Sequence, residues 1–223
     1  MDLPEISAIK ALRYGAKAFD LAHSAYNSHR DQCLFEFFRV IDTRLDTIDE
    51  TGLDNFYSYL ESPAGKQRIG RYIDCALNTY SRRARTAIAL LLADSPSYSF
   101  SETEKATFIK AMTGMEDSML DFFLAVCKLP QDESKYAYPQ AKISASEKKA
   151  LGLDGWEDEE IFININELIR LRLLAPNPST VGVIQSGGKS WTLWFGVTNI
   201  SLKMVKLLRE SEYMIDVYSS LER

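Results

Sequence analysis

Apolar residues recur three and four positions apart through the first part of the chain, which is the spacing of helices with one buried face. The pattern predicts a helix over residues 6–50, either continuous or divided near Asn27-Ser28. Gly52 is the expected C-terminal cap, because glycine adopts the left-handed conformation that often ends a helix. A short helix is predicted over residues 53–60.

Hydroxyl residues at capping positions divide the next segment into helices. Ser62 followed by Pro63 is typical of a helix start, because serine caps the first turn and proline fits the first helical position. The segment 101–104 has the spacing of a capping box, and the segment 113–116 offers a second one. The predicted helices therefore cover residues 63–93, 102–112 and 115–128.

The rest of the chain mixes helices with strands. A proline-containing loop is expected over 129–141, a short helix over 145–151, and a longer helix over 157–174 that starts with an acidic run. Strand-forming residues at 180–185 and 190–197, separated by a glycine-containing turn, predict one β-hairpin. Thr198 is the expected N-terminal cap of a last helix that continues toward Leu221.

The leucine spacing at the end of the 157–174 helix resembles that of winged helix-turn-helix modules found at the end of bacterial helical proteins. The matching residues are Leu168, Leu171, Leu173 and Leu174, with Val197-Thr198 after the hairpin. Arg172 and Ser201 depart from the pattern, since both stand where it has glycine. The predicted fold is therefore mostly α, with an N-terminal helical bundle over 1–112 and a winged-helix-like module with one β-hairpin over 113–223.

A winged-helix fold does not by itself decide what the module binds. A DNA-reading version needs a basic, exposed recognition helix. The candidate helix has Arg170 and Arg172 but also five carboxylates, and such a helix meets phosphates unfavourably. The carboxylates are Glu157, Asp158, Glu159, Glu160 and Glu167. A structural or protein-binding module is therefore favoured over a DNA-binding one.

Composition gives no sign of a nucleic-acid or membrane protein. The 223 residues are 46% hydrophobic and 26% charged with a net charge of −5, which is ordinary for a globular chain. The acidic start, Met1–Glu5, and the absence of a long apolar run predict a cytoplasmic protein with no secretory signal and no membrane partner. Cys33, Cys75 and Cys127 are expected to be buried free thiols.

No local motif supports catalysis, a cofactor or a metal. The histidines, His23 and His29, do not share a helix face, and Asp20 beside His23 gives too few ligands for a metal site. No cofactor-binding or nucleophile motif is present, so no catalytic residue is named and no cofactor is expected. An enzyme with a site assembled in space stays open.

Four arginines are the candidate binding residues. On a continuous helix over 63–93, Arg68, Arg71, Arg82 and Arg85 would form a basic stripe able to hold phosphates or carboxylates. The alternative is that an acidic patch of the same chain faces the stripe. The acidic patch comprises Asp42, Asp46, Asp49, Glu50 and Asp54.

Aromatic residues of the hairpin suggest self-association. Alternation places Trp191 and Phe195 on one strand face and Trp194 on the other, so one face is left uncovered unless the last helix covers it. With Met214 and Val217 of that helix, these residues are the predicted contacts of a symmetric homodimer.

The leading functional hypothesis is a non-enzymatic protein-interaction or scaffold protein that associates with itself. The alternative is a DNA-binding transcriptional regulator that uses the winged helix or the arginine stripe.

Overall fold

The computed structural model describes residues 26–45, 50–93, 100–132, 137–153, 155–178, 183–186 and 190–221. Most of them are helical. The helices are α1 (26–45), α2 (Glu50–Glu61), α3 (Pro63–Leu77), α4 (Arg82–Leu92), α5 (Glu102–Met112), α6 (Asp117–Val126), α7 (Asp158–Arg170) and α8 (Asn199–Leu221), with a 3-10 turn at Lys149–Leu151. The prediction of a mostly helical chain is confirmed, and the predicted hairpin is part of a small antiparallel sheet.

Several predicted helix ends are confirmed by capping hydrogen bonds. The Ser62 hydroxyl accepts from the Gly65 amide at 3.0 Å, and Ser101 and Glu104 form a reciprocal capping box. Thr198 accepts from the Ser201 amide at the start of α8. Helix α1 runs through positions 27–28 without a break, and residues 6–25 of the predicted first helix lie outside the described residues.

Two predicted boundaries are wrong. Gly52 lies inside α2 and ends no helix. The predicted helix over 63–93 is two helices, because side chains at its middle compete for helix carbonyls. The Asn78 amide donates to Asp74 O at 2.8 Å and the Thr79 hydroxyl donates to Cys75 O at 2.6 Å. Ser81 then caps α4 by accepting from the Ala84 amide at 3.0 Å.

Helix α4 is buried on every side. All residues from Ala84 to Leu92 have less than 9% of their surface exposed, whereas a surface helix buries only one stripe. Helices α3, α5 and α8 contact it. The predicted amphipathic pattern fails here because α4 is the centre of the helical part rather than part of its outer layer.

The sheet has β4 (Ser190–Gly196) in the middle. The strand β1 (Gln140–Ser144) pairs with one edge of β4, while β2 (Ala175–Pro176) and β3 (Val183–Ser186) follow each other along its opposite edge. All pairings are antiparallel. The sequence pattern predicts the hairpin β3–β4 but not β1, which lies between the predicted loop and the predicted short helix. Of that short helix only the 3-10 turn forms.

One hydrophobic core spans the predicted boundary between residues 112 and 113. Buried side chains of α4 and α5 belong to the same cluster as those of α6, α7, the sheet and α8. Among the described helices, none is long and apolar enough to cross a membrane.

Gly65 permits a close approach between α2 and α3. A Cβ atom at this position would lie 1.9 Å from the Tyr59 carbonyl oxygen, which is a backbone clash. Gly70, on the same helix, has no atom within 4 Å of its would-be Cβ.

We expect Gly65→Ala to lower the free energy of unfolding by about 1–3 kcal/mol, because the Tyr59 backbone must move to admit the methyl group. The matched change Gly70→Ala should raise it by about 0.5–1 kcal/mol, since alanine is the better helix former. Urea unfolding of both variants tests this. Equal effects of the two changes would contradict the close approach.

Candidate functional site

The break between α3 and α4 divides the predicted arginine stripe. Arg68 and Arg71 lie on α3, and Arg82 and Arg85 lie on α4. The four side chains no longer share one helix face, and their surroundings differ.

Arg85 is a buried structural contact, with 8% of its surface exposed. Its Nη1 donates to Thr79 O at 2.8 Å and Tyr80 O at 3.2 Å, and its Nη2 lies 3.4 Å from a carboxylate oxygen of Glu36. Arg82 pairs with the other oxygen of Glu36, also at 3.4 Å. Arg85 therefore links α1 to the α3–α4 connection.

Arg68 is also compensated within the chain. Its guanidinium lies over the rings of Tyr59 and Tyr72 at 5.6 Å and pairs with Glu102 at 3.3 Å. Although burial acts to lower the pKa of Arg68, the hydrogen bond with Tyr59 and the Glu102 charge raise it overall, so the cation is stabilised. Arg71 is exposed and has no ion pair among the described residues.

The carboxylates that pair with the stripe are not those of the predicted acidic patch. Glu36 and Glu102 are the partners that the structure gives, while Asp46 and Asp49 lie outside the described residues.

The hairpin aromatics are largely covered by their own chain. Trp191 and Phe195 are 7% and 0% exposed, so the expected alternation holds with this face inward. Trp194, on the outer face, is half-buried and lies under the Lys142 ammonium at 5.7 Å. Met214 and Val217 are half-buried. Self-association stays a prediction, with Trp194 as its accessible strand residue.

Asp158 fixes Trp191 against α7. The indole Nε1 donates to one Asp158 oxygen at 2.7 Å, and Lys148 Nζ donates to the other at 2.7 Å. The hydrogen bonds from Lys148 and Trp191 lower the pKa of Asp158, which keeps this carboxyl charged. The buried tryptophan thereby has its polar N–H satisfied.

A groove follows α5, with α3 on one side and the end of α7 on the other. We call it the α5 groove, and it has three adjoining sections of about 290, 280 and 380 Å³. The first section shares Arg71 and Ala106 with the middle one, and the middle one shares Lys110, Arg170 and Leu171 with the third.

The middle section is lined by four cations that come from three helices. They are Arg71 of α3, Lys110 of α5, Arg170 at the end of α7 and Arg172 just beyond it, accompanied by Thr103 and Thr107. Among the described residues, no carboxylate lines this section. Of these four cations, only Arg170 has an ion pair within the described part of the chain. Its Nε lies 2.7 Å from a carboxylate oxygen of Glu167. Arg71, Lys110 and Arg172 therefore line the section and have no ion pair to any residue that the structure describes.

Carboxylates bracket the cationic section at both ends. Glu102 lines the first section and pairs with Arg68 and Lys105. Glu116 and Glu167 line the third section, and the hydrogen bond from Arg170 lowers the pKa of Glu167 so that it stays charged. The positive surface thus extends into the first section, where Arg68, Arg71 and Lys105 accompany Glu102, and it meets two carboxylates in the third.

Arg172, which lines the groove, adopts a backbone conformation that glycine favours. Its φ is 62°, and it is the one residue other than glycine with positive φ in the described chain. The Leu173 amide donates to Leu168 O and the Arg172 amide to Ile169 O, both at 2.9 Å. This is the Schellman arrangement, in which residue 172 occupies the position usually taken by glycine.

The third section carries charges of both signs and is partly apolar. Trp156 lines it and stacks on Phe122, with ring centroids 5.0 Å apart, and Met115 and Met119 add flexible apolar surface. Asn164 supplies an amide. An anionic group in the middle section would therefore have an aromatic and apolar neighbour site.

His29 and Cys33 form a polar pair on α1, one helical turn apart. His29 Nε2 is 3.5 Å from Cys33 Sγ, a pairing that the spacing of four along a helix allows but that sequence analysis did not single out. Burial raises the pKa of the Cys33 thiol, which makes it a poor nucleophile. All three cysteines are buried free thiols, as predicted.

The described residues contain no group of three or more His, Cys, Asp or Glu side chains placed to hold a metal ion. Asp20 and His23, the pair considered in the sequence, lie outside them.

Of the cations of the middle section, the sequence indicates only Arg71 as a binding residue. Lys110 belongs to no predicted site, and Arg170 and Arg172 belong only to the candidate DNA-facing helix. No local sequence pattern predicts that α3, α5 and the end of α7 lie side by side. The one available signal was Arg172 at a glycine position.

Comparisons of the chain with protein-family models, with curated proteins and with solved structures give no match.

We expect Arg85→Met to lower the free energy of unfolding by about 3 kcal/mol, because it leaves the Thr79 and Tyr80 carbonyls without this donor and removes the buried partner of Glu36. The matched control Arg82→Met removes the other, more exposed partner of Glu36 and should cost less than about 1 kcal/mol. Thermal or urea unfolding compares them. Similar losses for both would contradict the structural role of Arg85.

We expect Arg172→Gly to raise the free energy of unfolding by about 0.5–1 kcal/mol. Relief of the left-handed conformation gains about 1–2 kcal/mol, from which the greater freedom of glycine in the unfolded chain subtracts. Arg172→Ala is the control, since it removes the side chain but keeps the strain. A gain as large for alanine as for glycine would show that charge rather than backbone strain is responsible.

Proposed function

We propose that the chain is a non-enzymatic protein-interaction protein that recognises an anionic group on a partner protein through the α5 groove. The observation that carries this proposal is the middle section, where Arg71, Lys110, Arg170 and Arg172 converge with no carboxylate in the lining. Converging cations that lack internal partners are costly to hold together, and an anionic ligand relieves their repulsion.

The dimensions of the groove fit an extended protein segment. Its sections follow α5 from Glu102 to Met112, a helix of 11 residues, which corresponds to about 16 Å at 1.5 Å per residue. An extended chain of about five residues spans that length. The section around Trp156 would take a side chain next to the anion, because aromatic surface is a preferred anchor at interfaces.

Self-association is a separate part of the proposal. Because Trp191 and Phe195 are buried, Trp194 is the aromatic residue of the hairpin that a second copy of the chain could contact. A homodimer would use this outer sheet face together with Met214 and Val217. Light scattering of the full chain at high concentration tests it, and a monomer would refute it.

The second candidate is a DNA-binding regulator with a winged-helix module. Three observations support the resemblance: the helices α6 and α7 with the 3-10 turn between them, the hairpin β3–β4 that follows, and positive φ at Arg172, where the pattern has glycine. The start of α7 opposes DNA, because Glu157, Glu159 and Glu160 are exposed there. Protein recognition is therefore the favoured function.

The main test titrates the 15N-labelled full chain with a nine-residue peptide of alanine and glycine that has two central glutamates. We expect amide shifts over residues 103–110 and 170–172. The same peptide with two glutamines should cause none. Combining Arg71→Gln with Arg172→Gln should weaken binding at least about tenfold, since hydrogen bonds to charged groups contribute about 1.5–3 kcal/mol.

Arg209→Gln is the matched control, because Arg209 is exposed on α8 and lines no section of the groove. It removes the same charge and should leave binding unchanged. Tight, salt-sensitive binding of duplex DNA without shifts from the glutamate peptide would favour the regulator instead. Absence of shifts with both ligands would refute both functions.

A further inference from the structure

We propose that the middle section of the α5 groove is a phosphate-binding subsite, so that the partner segment carries a phosphorylated side chain. This inference rests on the proposed function and names the chemistry of its ligand.

The number of uncompensated cations favours a phosphate monoester over a single carboxylate. Arg71, Lys110 and Arg172 have no ion pair within the described chain, and Arg170 shares its charge with Glu167. One carboxylate would neutralise one of these groups. A phosphate monoester carries a charge of about −1.5 to −2 at pH 7 and presents three acceptor oxygens. Cations from three directions match those oxygens better than they match a planar carboxylate.

The hydrogen-bond donors in the section also favour a phosphate ligand. Three of the four cations are arginines, whose forked N–H groups bind phosphate oxygens in pairs. The Thr103 hydroxyl, also in the lining, is a further donor. The Thr107 hydroxyl donates to Thr103 O at 2.9 Å, so it offers its lone pairs rather than its proton.

The end of α7 would repel an anion if its last carbonyls were open, because a helix C-terminus carries partial negative charge. Two of these carbonyls are occupied. Leu168 O accepts from the Leu173 and Leu174 amides at 2.9 and 3.2 Å, and Ile169 O accepts from the Arg172 amide. The motif that ends α7 thus reduces the repulsion while Arg172 places its cation beside Arg170.

The acidic end of the groove favours an isolated phosphate over a chain of phosphates. A nucleic-acid strand that continued from the middle section into the third would pass the exposed carboxylate of Glu116. That contact would be repulsive. A protein segment with one phosphorylated residue and neutral or basic flanks meets no such opposition.

The conformation of Arg172 is consistent with a functional constraint. A side chain with a Cβ atom in the left-handed region costs about 1–2 kcal/mol, and glycine would remove that cost. Strain of this kind is concentrated at functional sites. At this position Arg172 supplies a cation to the groove, which glycine would not.

The test compares three fluorescent nine-residue peptides of alanine and glycine by anisotropy on the full chain. Their centres are phosphoserine, two glutamates and serine. We expect the phosphoserine peptide to bind at least about tenfold more tightly than the diglutamate peptide, which matches its charge, and the serine peptide not to bind. Arg172→Gln and Arg71→Gln should each abolish the preference for phosphoserine, whereas Arg209→Gln should retain it. Circular dichroism shows that each variant is folded.

The outcomes separate the two proposals. Equal affinity for phosphoserine and diglutamate peptides, both lost in Arg71→Gln, would overturn the phosphate subsite and leave the proposed function standing. Binding of neither peptide would overturn both. Inorganic phosphate is the last probe: binding as tight as that of the phosphoserine peptide would show a free-anion site and overturn the phosphorylated partner. Preferential binding of duplex DNA over the phosphoserine peptide would do the same.

Discussion

The burial of α4 on all sides is the constraint on which the rest of the structure depends. A helix with nine consecutive buried residues, Ala84 to Leu92, must be enclosed, and α3, α5 and α8 contact it. The chain can reach this central position only by breaking after α3, where Asn78 and Thr79 turn back to helix carbonyls. Arg85 then satisfies two carbonyls of the connection and joins it to α1 through Glu36. The same break leaves α3 beside α5, where it forms one side of the α5 groove.

The groove lies where the helical part meets the part that contains the sheet, and its geometry depends on their shared core. The core cluster is continuous from α4 to α8, so α7 is held against the same interior as α5. Lys203 of α8 donates to both oxygens of Glu104 at the start of α5, at 2.9 and 3.0 Å. Although burial acts to raise the pKa of Glu104, hydrogen bonds from Ser101 and Lys203 lower it overall, so this contact joins two charged groups. A binding site preorganised in this way loses little entropy when a ligand enters.

The arginines of the chain differ in role because their surroundings differ. Some stabilise the fold, and others are available to bind a ligand. Arg85 and Arg68 have buried or aromatic surroundings and internal carboxylates, so their charges are used within the fold. Arg71 and Arg172 are exposed and have no carboxylate partner in the described chain, so their charges are open to a ligand. Residue type is the same in both groups. Burial, aromatic neighbours and the placement of Glu36 and Glu102 separate them.

The sequence by itself determined the features that depend on neighbours within one or two turns. Caps at Ser62, Ser101 and Thr198, the separation of α5 from α6, the start of α7 and the alternation of side chains along β4 all follow from local hydrogen bonding and periodicity. The sequence indicated one cation of the candidate site, Arg71, and missed its companions. Tertiary structure decided the break after α3, the pairing of β1 with β4 and the covering of Trp191 by Asp158 and Phe162. It also assembled the cations of three helices, because packing around a shared core brings together residues that no local pattern relates.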